Sequence, residues 1–146
     1  MALPGGVLAG TVEAAEVLVR APHVTLVVDG YNVAMLGWPG LALAEQRVRL
    51  LDALDEVAAR FSVAVHVVFD GADVDQGRIG RRHLRVEFSA AGVTADDVIA
   101  DLVRSLPLDR PVVVVTNDAE LRSRCRPAGV TVMASDQLLA LARRAV

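Results

Sequence analysis

Lysine is absent from this chain: all 15 basic residues among its 146 are arginine. That absence excludes several chemistries. A P-loop needs a lysine on the nucleotide phosphates, and a Schiff-base enzyme needs an amine nucleophile. A receiver-type phosphoacceptor domain also clusters Asp at strand ends, but it relies on a lysine as well. The single cysteine, Cys125, excludes an internal disulfide and any multi-cysteine zinc site. Aromatic residues make up only 3%, so a core must be aliphatic. No apolar run reaches the roughly 18 residues that a membrane-spanning helix needs. The N-terminus has neither the basic start nor the apolar core of a signal peptide. Together these features point to the cytoplasm.

What is present is a chain that is 53% hydrophobic, with a net charge of −3. That much apolar content argues for one folded domain with a sizeable core. The negative balance argues against a generally basic nucleic-acid binder. We expect a single domain over 1–146, with an N-terminal extension and helix at 1–22 and a core at 23–146. Thr11 to Arg20 reads as a short helix, His23 to Asp29 as a strand and Gly30 to Gly40 as a loop. Leu43 to Arg60 is an amphipathic helix, with Leu43, Val48 or Leu51, Leu54, Val57 and Ala58 at helical spacing. Strands follow at 62–70 and 84–88, separated by a polar loop. Thr94 caps a helix to Leu106, and Pro111 to Thr116 is a strand. Asn117 or Asp118 caps the next helix, to about Arg126. Val130 to Met133 is the last strand, and Ser135 caps a closing helix. Continuous Val-rich strands alternating with helices predict an α/β fold: a three-layer α/β/α domain around a mostly parallel five-stranded sheet.

The acids fall on a pattern. The first strand runs into Asp29 and the second into Asp70. The fourth runs into Thr116, Asn117 and Asp118, and the helix after the third opens on Asp96 and Asp97. Sites in open parallel sheets form beyond the carboxyl ends of the strands, and a helix that follows such a strand starts at that edge. Taken singly, Asp29 and Asp70 read as turn residues, and Asp96, Asp97 and Asp118 as helix caps. Taken together they crowd one edge, where carboxylates repel unless a cation binds. A hard divalent ion answers that need. Asn32 either caps a turn or orients water or a phosphate. Thr116 is either an ordinary strand residue or a hydroxyl at the same edge. Asp101, Asp73 and Asp75 read as solvated.

In that order, DGYN, VFDG, TADD and VTND resemble the NYN branch of the PIN-like ribonucleases, most nearly the YacP-like group. The resemblance spans roughly 23–142. It implies a PIN-like fold with strand order 3-2-1-4-5, which sets Asp29 beside Asp118 with Asp96 close by. It implies Asp29, Asp96 and Asp118 as metal-binding and catalytic acids, with Asp70 or Asp97 serving an outer or second ion. Asn32 matches the family's strand-one Asn. In one departure, the family pattern places an acid directly after the Ile of TADxxI, whereas here Ala100 follows Ile99.

The resulting expectation is a ribonuclease, an endonuclease dependent on Mg²⁺ or Mn²⁺, with RNA as partner and the ribosome or mRNA as its setting. Arg78, Arg81, Arg82 and Arg85, with His83, form a basic stretch suited to the RNA backbone, with a solvated loop as the ordinary reading. Tyr31 and Trp38 read first as packing residues and second as base-stacking ones. The N-terminal segment is a candidate surface for a homodimer or a domain partner. The alternative function is a non-catalytic RNA-binding module of a larger protein. An Asp-nucleophile phosphatase is disfavoured by the missing lysine, and a pure interaction domain stays open.

Overall fold

Side-chain alternation decides the layers. Along β1 (Thr25–Asp29) the fully buried Leu26 and Val28 face one side of the sheet and Val27 the other. The same split recurs on β2 (Ala64–Phe69), where Val65, Val67 and Phe69 oppose Val68. On β4 (Val112–Val115), Val113 and Val115 oppose Val114. With β3 (Leu84–Phe88) and β5 (Thr131–Met133), these strands form one parallel sheet in the order β3-β2-β1-β4-β5. That is the order the resemblance implies. The structure, a computed structural model, describes residues 3–71, 81–107 and 109–144.

One face is covered by α1 (Val12–Val19), α2 (Gly30–Gly37), α3 (Leu43–Phe61) and α6 (Ser135–Arg143). The other is covered by α4 (Ala95–Ser105) and α5 (Ala119–Cys125), which bury Ile99, Val103 and Leu121 against Val27, Val68 and Val114. Val27, Val28, Val67, Val68 and Val113–Val115 have no solvent exposure, so the central strands are dry on both faces. Ala14, Ala15, Leu18 and Val19 of α1 are buried in the chain's own core, and Gln137 of α6 donates to the Thr11 carbonyl (3.0 Å). No helix among the described residues is long and apolar enough to cross a membrane.

Three local expectations are corrected. The stretch predicted as a loop after β1 is helical over Gly30–Gly37, although Asp29 makes no capping bond to it. Burial of Val33 and Ala34 supports that helix instead. On α3 the buried face is Gln46, Leu50, Leu51, Leu54, Val57 and Ala58, while Leu43 and Val48 are each 47% exposed. Ser135 is the first residue of α6 rather than its cap. Ala134 takes the cap position and its N–H donates to Gln137 Oε1 (2.9 Å).

Candidate active site at the carboxyl edge

Asp29 is the last residue of β1 and shares the parity of Val27, which directs its side chain to the α4/α5 face. It is buried, with 7% exposure. Its Oδ2 accepts from the hydroxyl of Thr116, itself fully buried (2.8 Å). That hydroxyl also accepts from the Asp118 N–H (3.0 Å). Thr116 therefore ties the end of β1 to the start of α5. Asp118 caps α5, its Oδ1 accepting from Glu120 and Leu121 N–H (2.8 and 3.3 Å).

Burial raises the Asp29 carboxyl from its ordinary 3.8 to about 6, against the pull of the Thr116 bond. Asp96, Asp118 and Asp70 each push it further up. Asp96, in the first turn of α4, is raised by burial and by Asp118, with Arg124 opposing. The fold thus brings Asp29, Asp96, Asp118 and Asp70 within electrostatic reach of one another. Asp70 also accepts from Ser89 Oγ (3.1 Å), whose oxygen accepts from Gly71 N–H (3.2 Å).

Asp97 is engaged differently. Its Oδ2 accepts from Thr94 N–H (3.3 Å) in a capping box, and its Oδ1 pairs with Arg124 Nη2 (3.0 Å). The Thr94 backbone and Arg124 together hold it below the usual carboxylate range. Both oxygens are engaged by Thr94 and Arg124, while its charge still acts on Asp96.

Asn32 joins three elements. Its Oδ1 accepts from Asn117 N–H (2.9 Å) and from the buried Ser135 Oγ (2.7 Å). Asn117 Oδ1 in turn accepts from Ser135 N–H (2.8 Å). The carbonyl end of Asn32 is thereby fixed, and its amino group makes no further bond among the described residues.

The basic stretch does not assemble at this edge. Arg78, with Asp73 and Asp75, lies outside the described residues. Arg81 and Arg82 precede β3 and so belong to the opposite, amino edge. Arg81 Nε donates to Asp52 of α3 (3.1 Å), and the His83 N–H to Asp55 (3.0 Å). Because β3 runs parallel to β2, the residues just before it lie at the amino edge, which is why Arg81 and Arg82 end far from the acids. Arg85 is exposed on β3, in register with His66 and through it with Val27, two strands away from Asp29. Tyr31 packs on Phe69 (centroids 5.0 Å apart), its hydroxyl accepting from Arg47 (2.8 Å). Trp38 lies half-buried beneath Arg143. Asp101 is exposed and paired with Arg104.

The family profile of the YacP-like NYN domain matches residues 26–145. The chain belongs to the YacP-like NYN domain family. A crystal structure of Rae1 (YacP) from Bacillus subtilis is similar at 26% identity and a TM-score of 0.71, covering 81% of this chain and 72% of that one. A second, of a point mutant of the same protein, gives 23%, 0.69, 81% and 74%. None of the curated proteins matches the chain significantly. NYN domains are nuclease-like members of the PIN-like superfamily, which typically uses divalent metal ions.

Do this NYN domain's residues fit such an ion? Among the described residues, no three acidic, imidazole or thiol groups stand close enough to form a ready cage. Mg²⁺ does not require one, since it keeps several waters and takes one or two carboxylates directly. A buried carboxyl raised to about 6 among other acids is a group whose ionised form needs a cation. Asp29, with Asp96 and Asp118 around it, fits on donor chemistry and charge.

Sequence reasoning missed Thr116 as the Asp29 partner, Ser89, Ser135, Arg47 and Arg124. Arg124 left a signal. It lies on the helix that Asp118 starts, and that helix begins at the same sheet edge.

Proposed function

We propose that this NYN domain is a divalent-metal-dependent ribonuclease, an endonuclease that hydrolyses RNA phosphodiesters at the carboxyl edge of its sheet. One observation carries the reading: Asp29 is buried there, raised to about 6, in the field of Asp96, Asp118 and Asp70. Asp29 would hold Mg²⁺ or Mn²⁺, with Asp96 and Asp118 beside it and Asp70 at the rim. The chemistry such an ion supplies is activation of water and stabilisation of the leaving oxygen. Thr116 keeps the Asp29 carboxylate aimed. The amino group of Asn32 is free to donate to a phosphate oxygen. The starts of α4 and α6 lie at this edge, their positive dipole ends favouring phosphate over the acids' repulsion.

The test is cleavage of structured and unstructured RNA with Mn²⁺, Mg²⁺ or EDTA, using Asp29→Asn and Asp118→Asn as controls. Metal-dependent cleavage lost in Asp29→Asn is expected. Cleavage that survives EDTA, or that survives the substitution, would sink the reading. A second reading, a non-catalytic RNA-binding module, is favoured by the lack of a three-carboxylate cage among the described residues. Calorimetric Mn²⁺ titration separates the two, because a scaffold takes up no ion at these acids.

A further inference from the structure

The proposed reaction leaves one problem unsolved: a phosphodiester must approach a cluster of carboxylates. Among the described residues, the charged groups that act on Asp29 are Asp96, Asp118 and Asp70, all of them acidic. Among the described residues, the basic side chain that acts on Asp96 is Arg124. It projects from α5, the helix that Asp118 caps, to the first turn of α4, which carries Asp96 and Asp97. One nitrogen, Nη2, is held by Asp97 Oδ1 at 3.0 Å, and the side chain is still 35% exposed. A guanidinium anchored by one nitrogen keeps its remaining N–H donors in a fixed plane, the geometry that binds a phosphate through two parallel bonds.

The arrangement also accounts for Asp97. Its carboxylate is held by Thr94 and Arg124, so its contribution to the site is to tether a cation.

We infer that Arg124 is the substrate-binding residue that grips the RNA backbone beside the acid cluster, with Asp97 as the positioning residue that holds it. This rests on the ribonuclease reading and names the phosphodiester contact within it. Arg124 donates to non-bridging oxygens of a phosphate next to the cut one, replacing water around its free nitrogens. The contact exists before and during the reaction, so it bears on substrate binding more than on turnover.

The experiment pairs Mn²⁺-dependent cleavage kinetics with fluorescence anisotropy of a short single-stranded RNA, binding being measured in the Asp29→Asn background at several salt concentrations. The variants are Arg124→Gln, Arg124→Lys and Asp97→Asn, with Arg110→Gln as an exposed control far from this edge. Asn at 97 can still accept from Thr94, which keeps the cap. Arg124→Gln is expected to raise KM about 10- to 100-fold with kcat nearly unchanged, the range of a lost charged hydrogen bond. The slope of log affinity against log salt should fall by about 0.7, one phosphate contact on a single strand. Arg124→Lys keeps the slope but loses affinity, and Asp97→Asn shows a smaller rise in KM. If Arg124 merely clamps α5 to α4, Arg124→Gln and Asp97→Asn lower the melting temperature alike and leave the salt slope at the Arg110→Gln value. That result overturns the inference while metal-dependent cleavage by the unaltered protein stands. If the unaltered protein neither binds nor cleaves RNA, the function reading fails and this inference fails with it.

Discussion

Asp29 shows how a single residue can work against the fold that holds it. Its folded carboxyl, raised from 3.8 to about 6, retains its proton more tightly than in the unfolded chain. The native state is therefore penalised once both states ionise, with no penalty below pH 3.8 and the full penalty above about pH 6. A shift of about two pKa units corresponds to about 3 kcal/mol. Asp29→Asn keeps an oxygen that can accept from Thr116 and removes the charge. We expect it to abolish cleavage and to raise metal-free stability at pH 7.5 by up to about 3 kcal/mol, read from urea unfolding in EDTA. A variant no more stable than the parent would show that the buried charge is relieved in some other way. The residue itself was legible in the sequence, because a carboxylate ending a Val-rich strand is visible there. Its partner was not. Thr116 was open to two readings, a strand residue or a hydroxyl at the same edge, and its bond to Asp29 spans 87 positions.

At the scale of elements, α2 matters most and was read wrongly. Glycines at both ends made 30–40 look like a loop, and with no capping bond from Asp29 it is tertiary burial of Val33 and Ala34 that supports the helix. The Gly30 backbone lies so close to β2 that an added Cβ would stand 2.4 Å from Phe69 Cδ1, 2.5 Å from Cε1 and 2.9 Å from the Val68 carbonyl. The aromatic ring is itself packed on Tyr31 and Phe88, and the carbonyl belongs to a strand, so neither can yield. Gly30→Ala should therefore cost at least the 1–3 kcal/mol typical of overpacking, and should depress cleavage by displacing the adjacent Asp29. Normal stability by denaturant titration would contradict this packing. Asn32 makes a companion case. Its Oδ1 serves both the β4–α5 connection and α6, so Asn32→Ala leaves the buried Ser135 hydroxyl without its acceptor. A loss of about 1–3 kcal/mol is expected, whereas an amide devoted to substrate alone would leave stability untouched. The sequence showed Asn32 as out of place after a strand but could not show that it binds three elements together.

For the molecule as a whole, the sheet order came from the family resemblance, and the carboxyl-edge cluster was legible because parallel βα units fix which end of every strand carries the acids. The arginines were not, because a loop's path between two strands is not written in its charges. The same sheet buries two titrating groups of opposite sense. Burial holds His66 below its ordinary 6.5, with the Glu87 bond (2.9 Å) offsetting only part. A lowered imidazole resists protonation in the native state, so its contribution to stability is lost as pH falls through 6.5. Asp29, with Asp96 acting in the same direction, loses stability as pH rises through the window from 3.8 to about 6. The two trends oppose each other where the Asp29 window overlaps the fall below pH 6.5, so the melting temperature of the metal-free protein should change less with pH there than either group alone would make it. Asp29→Asn removes the Asp29 part of the acidic arm, so between pH 3.8 and about 6 its melting temperature should rise with pH relative to that of the parent. Mg²⁺ acts on the other side: binding only the folded acids, it should stabilise by about 2.7 kcal/mol at 100 times its Kd, and only where Asp29 ionises. Thermal scans from pH 4 to 8 in EDTA and in Mg²⁺, at matched ionic strength, test this directly. An Mg²⁺ gain of equal size at pH 4, or one that persists in Asp29→Asn, would mean that the ion binds somewhere other than the carboxyl edge.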